Sequence, residues 1–335
     1  MIVPRSAHPL LDPELATALA QLPADIRSTI TADAIPRLRR EQTGEVTQRM
    51  LDDAGIEADD AVVTGYDGAE IGVTILRPKG RTGTGAGFYH VHGGGMILGD
   101  RWTGVTALFD ALHRFNAVAV TVEYRLAPEF PDPTPIEDCY AGLLWMDRHA
   151  GELGVDPDRL MIVGGSAGGG LAAGTALLAR DRHGPALCGQ LLMYPMLDDR
   201  ETTTSTSSHQ ADGGGPWNRE SNRTGWTALL GERRGTDAVS IYAAPARATD
   251  LSGLPPAFID CGSAEIFRDE DVAYASAIWA AGGDAELHVW PGGFHAFDVF
   301  VPESSLARRM IRARQEWLAR ILGSGVSRGT PGGMP

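Results

Sequence analysis

One five-residue stretch limits what this chain can become. Gly164-Gly165-Ser166-Ala167-Gly168 reads G-x-S-x-G. It follows the apolar run 160–163, which has the composition of a strand, and it opens a helical stretch near Gly169. A serine on so sharp a strand-to-helix turn sits in a strained backbone with its hydroxyl exposed, and the flanking glycines make room for the neighbouring strand and helix. The helix start behind it favours any negative charge that develops there. The plainer alternative is a tight βα turn that happens to hold a serine.

The rest of the chain supplies the layers such a turn needs. Two strand-like runs beginning at Ala61 and Ile71 flank Asp67-Gly68, a hairpin signal. After them, short β-rich runs at 87–92, 118–122, 160–163, 191–193, 257–260 and 285–290 alternate with helical stretches at 136–149, 171–180, 273–281 and 306–322. This alternation predicts a mostly parallel sheet of about eight strands with helices on both faces, opened by an antiparallel hairpin. Residues 1–45 read as helices broken by proline. Residues 200–236 pass from a Thr/Ser tract through Gly213-Gly-Gly to a helix-like run at Asn222, too long for an ordinary connection, and are expected to form an inserted lid. The catalytic body is expected over 46–322, and the Gly/Ser/Pro tail 323–335 to be a loose extension.

Glycine directs attention to a second motif. It supplies 42 of 335 residues, well above the ~7% usual in globular proteins. One cluster is His92-Gly93-Gly94-Gly95, at the end of the run that precedes it. Three glycines there let backbone N–H groups face a cavity without β-carbon obstruction, and an HGGG motif of this type forms half of an oxyanion hole. A flexible loop is the bland alternative, but HGGG followed downstream by G-x-S-x-G is far more specific to a serine nucleophile than either alone.

A serine hydroxyl needs a base to attack. In sheets with this elbow the order is serine, acid, histidine. Four histidines follow Ser166: His183 just past a helix end, His209 in the polar insertion, His288 within a strand, and His295 in the glycine loop Pro291-Gly-Gly-Phe-His-Ala-Phe after the last strand. His295 is the expected base, because that loop hangs over the strand ends. Candidate acids after the penultimate strand are Glu265, Asp269 and Asp271, with Asp260 inside the strand. Glu265 is preferred as the first acid past the strand end; Asp269 and Asp271 suit a helix start.

Composition narrows the partners. A net charge of -14 disfavours nucleic acid and anionic membrane. No apolar window approaches the ~18 residues of a membrane span, and the first residues carry no secretory pattern. Three dispersed cysteines, Cys139, Cys188 and Cys261, suit a reducing compartment, so the expected location is cytoplasmic. No cofactor and no metal are expected; the expected partner is a small-molecule ester, with a homodimer left open.

The motifs together resemble those of the bacterial hormone-sensitive-lipase-like carboxylesterases, an α/β-hydrolase family. The resemblance rests on His92-Gly-Gly-Gly, Tyr124-Arg-Leu-Ala-Pro-Glu129 with Pro131, Gly164-Gly-Ser-Ala-Gly168, Tyr194-Pro195, Phe267-Arg-Asp-Glu270 and Gly293-Phe-His-Ala-Phe297. It implies an α/β-hydrolase fold with a helical cap and a Ser166, His295, Glu265 triad. It also implies that the oxyanion is held by the N–H groups of Gly94 and Gly95, with Gly93 adjacent, and of Ala167. The family's lid combines an N-terminal helical segment with an insertion after the sixth strand, matching 1–45 and 200–236. Two positions depart: Glu265 stands where the family usually has Asp, and Gly165 where it has Asp or Thr. The Tyr124–Glu129 block reads as structural, with an Arg125–Glu129 ion pair under the site. A lidded pocket of limited depth favours short acyl chains, about C2–C6. Amide, lactone or carbamate hydrolysis would use the same residues. A non-catalytic receptor on this fold is the rival of a different class, and the presence of His295 argues against it.

Overall fold

The computed structural model describes residues 9–24, 26–41, 46–208 and 215–323. The Gly-rich centre of the insertion, with His209, and all of the tail beyond residue 323 lie outside them.

Eight strands form one sheet: β1 (Ile56–Thr64), β2 (Glu70–Pro78), β3 (Gly85–Val91), β4 (Val118–Val122), β5 (Val155–Gly165), β6 (Gly189–Met193), β7 (Ala257–Gly262) and β8 (Ala285–Trp290). Their order is β1-β2-β4-β3-β5-β6-β7-β8. The first two pair antiparallel around the turn at Asp67 and Gly68, both at positive φ, and β2 meets β4 antiparallel. Every pairing from β4 to β8 is parallel. This is the α/β-hydrolase fold expected from the alternation.

The central strands of the sheet are buried on both faces, and their period-two pattern divides the core. Tyr89, Val91, Val118, Val120, Leu160, Ile162, Leu192 and Ile259 face one layer, with Leu143 and Leu177 from the covering helices. Phe88, Ala119, Met161, Val163, Leu191 and Phe258 face the other, against Leu112, Met310 and Trp317. Successive strand side chains point to opposite faces, so central strands covered twice are apolar throughout. The covering helices include Thr134–Arg148, Ala167–Asp181, Arg268–Ala280 and Ser305–Gly323. Each begins between one and five residues before its sequence-expected start, because polar and glycine-rich first turns carry little apolar periodicity.

The N-terminal residues divide between the layers. The helix Pro13–Gln21 puts Leu15 and Leu19 into the second core, and the Asp12 N–H donates to the Gly292 carbonyl at 3.0 Å. Ile30, Ile35 and Leu38 instead join the first core beside Trp217, Trp226 and Leu229 of the insertion. Two hydrogen bonds join these segments: Ile30 N–H donates to Ser221 Oγ at 2.9 Å in a buried contact, and Asn218 Nδ2 to Thr29 Oγ1 at 2.9 Å in a half-buried one.

Candidate active site

In a parallel sheet, the loops leaving the carboxyl ends of the strands gather at one edge, the usual place for a site. Here HGGG leaves β3, Ser166 leaves β5, Tyr194 leaves β6, Glu265 leaves β7 and His295 leaves β8.

Ser166 has φ 57° and ψ -125° and caps the helix Ala167–Asp181. Such a backbone is costly for a residue with a β-carbon and persists only when its surroundings fix it. Backbone hydrogen bonds do so. Ser166 N–H donates to the Met193 carbonyl at 2.9 Å, and its own carbonyl accepts from Gly170 at 3.1 Å and Met196 at 3.0 Å. The motif glycines answer to close approach. A β-carbon on Gly164 would lie 2.2 Å from the Gly168 carbonyl oxygen, and one on Gly168 would lie 2.1 Å from that of Val91. Gly165 differs: a β-carbon there meets only side chains of Tyr194 and Met193, at 3.4 Å and beyond.

Three sequence-selected side chains meet at this edge. His295 Nε2 lies 2.9 Å from Ser166 Oγ, and its Nδ1 lies 2.9 Å from Glu265 Oε1. A carboxylate can only accept, so Nδ1 carries the proton and Nε2 presents a lone pair to the serine hydroxyl. The other Glu265 oxygen accepts the Gly262 N–H at 2.6 Å. Glu265 is wholly buried, and His295 nearly so. The imidazole is flanked edge-on by Tyr194 and Phe267, with centroids 5.0 and 5.1 Å away.

The other acids are occupied elsewhere. Asp269 accepts from Ser205 N–H at 2.8 Å and pairs with Arg268 at 2.7 Å. Asp260 is forked by Arg314 Nε and Nη2 at 2.8 and 3.0 Å, and burial pushes its carboxyl up to about 6. Asp271 is buried, and burial, followed by the nearby Glu265 charge, holds its carboxyl well above the usual range. Glu270, also raised by burial, accepts the N–H groups of Leu197 and Asp198 beside the elbow, at 2.7 and 3.2 Å. Its part in bracing the loop after β6 was not legible in the sequence, which showed only one more acid in a helix start.

The glycine loop after β3 lies against the serine. A β-carbon on Gly93 would stand 3.5 Å from that of Ser166. Gly94 and Gly95 take φ 110° and 65°. Among the described residues, the N–H groups of Gly94, Gly95 and Ala167 have no acceptor. His92 is buried and stacked on Tyr124, with centroids 4.1 Å apart. Its Nδ1 faces the Gly93 carbonyl at 2.8 Å, and burial lowers its pKa to about 4, so the ring is neutral.

One expectation fails. Arg125 does not pair with Glu129 but forks Asp138 at 2.8 Å through Nε and Nη2, while Glu129 pairs with Arg39 at 2.9 Å. Asp138 is wholly buried in the helix Thr134–Arg148 and offers Arg125 a desolvated partner that exposed Glu129 does not.

The profile of the α/β-hydrolase fold matches residues 88–299, most of the chain, including Ser166, Glu265, His295 and the HGGG loop. The chain belongs to the α/β-hydrolase family. The hormone-sensitive-lipase-like branch indicated by the motifs is where its relatives fall. Carboxylesterase NlhH of Mycobacterium tuberculosis is 34% identical over 302 residues, covering 89% of this chain and 92% of that one. Among solved structures, a bacterial heroin esterase superposes with a TM-score of 0.85 at 36% identity, covering 93% of this chain and 98% of that one. A hyperthermophilic esterase from Pyrobaculum calidifontis superposes with a TM-score of 0.81 at 29% identity, covering 95% and 100%.

Proposed function

We propose that this α/β-hydrolase cleaves small carboxylic esters through an acyl-enzyme on Ser166. The observation that carries the reading is the continuous line from Glu265 through His295 to Ser166, with both hydrogen bonds at 2.9 Å. His295 Nε2 takes the serine proton as Oγ attacks the ester carbonyl. Glu265 holds the tautomer and stabilises the imidazolium. The N–H groups of Gly94, Gly95 and Ala167, with Gly93 adjacent, receive the negative charge on the carbonyl oxygen. His295 then returns its proton to the leaving alcohol. Water, deprotonated in turn by His295, attacks the acyl carbon and frees the acid and Ser166. The carboxylesterase and esterases to which the chain is similar support ester as the substrate class.

Of the cap expected from 1–45 and 200–236, the described insertion residues 200–208 and 215–236 and the segment 29–41 cover the site, borne on the catalytic body 46–322, and this cap limits substrates to short acyl chains of about C2–C6. Support comes from the shared core of Ile30, Ile35, Leu38, Trp217 and Trp226 with Met96, Ile97 and Leu98 of the loop after HGGG. No disulfide joins Cys139, Cys188 or Cys261, consistent with a cytoplasmic location. No described helix is long and apolar enough to cross a membrane. A homodimer is tested by light scattering. The function is tested with p-nitrophenyl esters of graded chain length beside a matched anilide. Rapid turnover of the C2–C6 esters, little of the anilide and a decline toward C16 are expected. Preferred anilide cleavage, or better activity on C16 at matched solubility, would overturn the substrate assignment.

A further inference from the structure

The insertion touches the oxyanion loop itself, beyond forming a wall around the pocket. Trp217 lies directly on Gly95: a β-carbon built on that glycine would fall 2.1 Å from Trp217 Cη2. The helix Arg219–Leu230 then brings Gly225 against the other side of the same residue, where a β-carbon would stand 2.8 Å from the Gly95 carbonyl oxygen. Gly225 lies within a helix, where glycine is a poorer helix former than alanine. Close approach to Gly95 accounts for it.

The contact is rigidly mounted. Trp217 is buried, and its indole N–H donates to Asn222 Oδ1 at 3.3 Å. Asn218 caps the helix by accepting the Ser221 N–H at 2.9 Å, and Asn218, Ser221 and Asn222 are all buried. Two of these side chains also fasten the N-terminal segment, through Ile30 N–H and Thr29 Oγ1. That segment in turn holds the far end of the glycine loop: Arg39 donates to the Ile97 carbonyl at 2.7 Å and to the Ala127 carbonyl. The loop is therefore gripped twice, at Gly95 and at Ile97, by segments tied to each other.

We propose that Trp217 and Gly225 are positioning residues that hold Gly95 from its Cα side and its carbonyl, and so set the direction of its N–H, so that the packed insertion completes the oxyanion site. The inference rests on the reading of Gly95 N–H as an oxyanion donor. Removing one such donor costs 10²–10³-fold in kcat, and a misplacement near 1 Å costs ~10²-fold. Loss of the indole that holds Gly95 is therefore expected to lower kcat roughly 10–10²-fold, with KM changed no more than about threefold.

The test compares wild type with Trp217→Ala, Trp217→Phe and Gly225→Ala. Each is assayed with p-nitrophenyl butyrate and with an alkyl trifluoromethyl ketone, whose serine adduct places an oxyanion in the same site. In Trp217→Ala, kcat is expected to fall and the ketone inhibition constant to rise by about the same factor. Trp217→Phe should recover most of both. Gly225→Ala should lose kcat and ketone affinity by matching factors, with KM little changed, in protein that circular dichroism shows to be folded at the assay temperature, an outcome a merely structural role would not give. It decides the matter if Trp217→Ala does not fold. A rise in KM with kcat and ketone affinity intact would overturn the proposal and leave ester hydrolysis standing. Absence of hydrolysis in wild type would overturn both.

Discussion

Glu265 carries the most local weight at the scale of single residues, because its two oxygens serve different partners. One faces His295 Nδ1, and the other accepts the Gly262 N–H. The amide of Glu265→Gln cannot stabilise an imidazolium and can select the wrong tautomer, so kcat should fall about 10³–10⁴-fold with the fold retained. Asp269→Asn, which loosens only Ser205 and Arg268, should stay within about tenfold of wild type. Side-by-side kinetics with circular dichroism check both. The elbow glycines separate as clearly. Gly165→Ala finds ordinary van der Waals room and should remain folded and active, whereas Gly168→Ala drives a methyl into the Val91 carbonyl and should cost most of the soluble enzyme. Expression yield and ester turnover of the two variants report the difference. The departure at Gly165 thus leaves the elbow geometry untouched.

Among elements, the piece that secures the histidine loop is a buried ion cluster. Arg314, on the helix Ser305–Gly323, forks Asp260 in β7 and also reaches Asp298, three residues after His295, at 2.5 Å. Its guanidinium also lies over the Tyr194 ring, 5.5 Å from the centroid, and that ring flanks His295. Truncating one partner of such a cluster leaves carboxylates buried without compensation. Arg314→Met should therefore cost about 3–5 kcal/mol at pH 7.5, read by urea denaturation. The sequence showed Asp260 only as an acid inside a strand, with nothing to pair it to an arginine 54 residues onward. Long-range side-chain partners are invisible to local pattern, and for the same reason the Arg125 partner was misread. What is local was legible: the strand runs, the hairpin at Asp67-Gly68, the serine turn and the loops that end in glycine and histidine. Strand β1 was underread because its opening residues, Glu57, Asp59 and Asp60, are exposed or half-exposed on an edge and carry no apolar alternation.

The whole molecule should carry a pH signature from two histidines buried beneath the site. Burial lowers His90 to about 3 and His92 to about 4. Their folded values lie below the unfolded value near 6.5, so between these limits the unfolded chain binds protons that the folded one refuses. Their contribution is complete above about pH 6.5 and is lost on acidification, by up to about 1.4 kcal/mol per pH unit for each ring. Asp260, raised to about 6, pulls the opposite way, because its folded form holds a proton that the unfolded form has released. The histidine share is therefore read as a difference. Urea denaturation between pH 7 and 4.5 should give a shallower acid loss for His90→Gln than for wild type, and equal slopes would contradict the burial account. The central claim is that this molecule gathers five strand-end loops around one nucleophile, and covalent labelling tests it most directly. An alkyl fluorophosphonate added to the enzyme should leave one adduct, on the peptide bearing Ser166, in step with the loss of ester hydrolysis. Loss of activity with the adduct on another residue and Ser166 unmodified would contradict it.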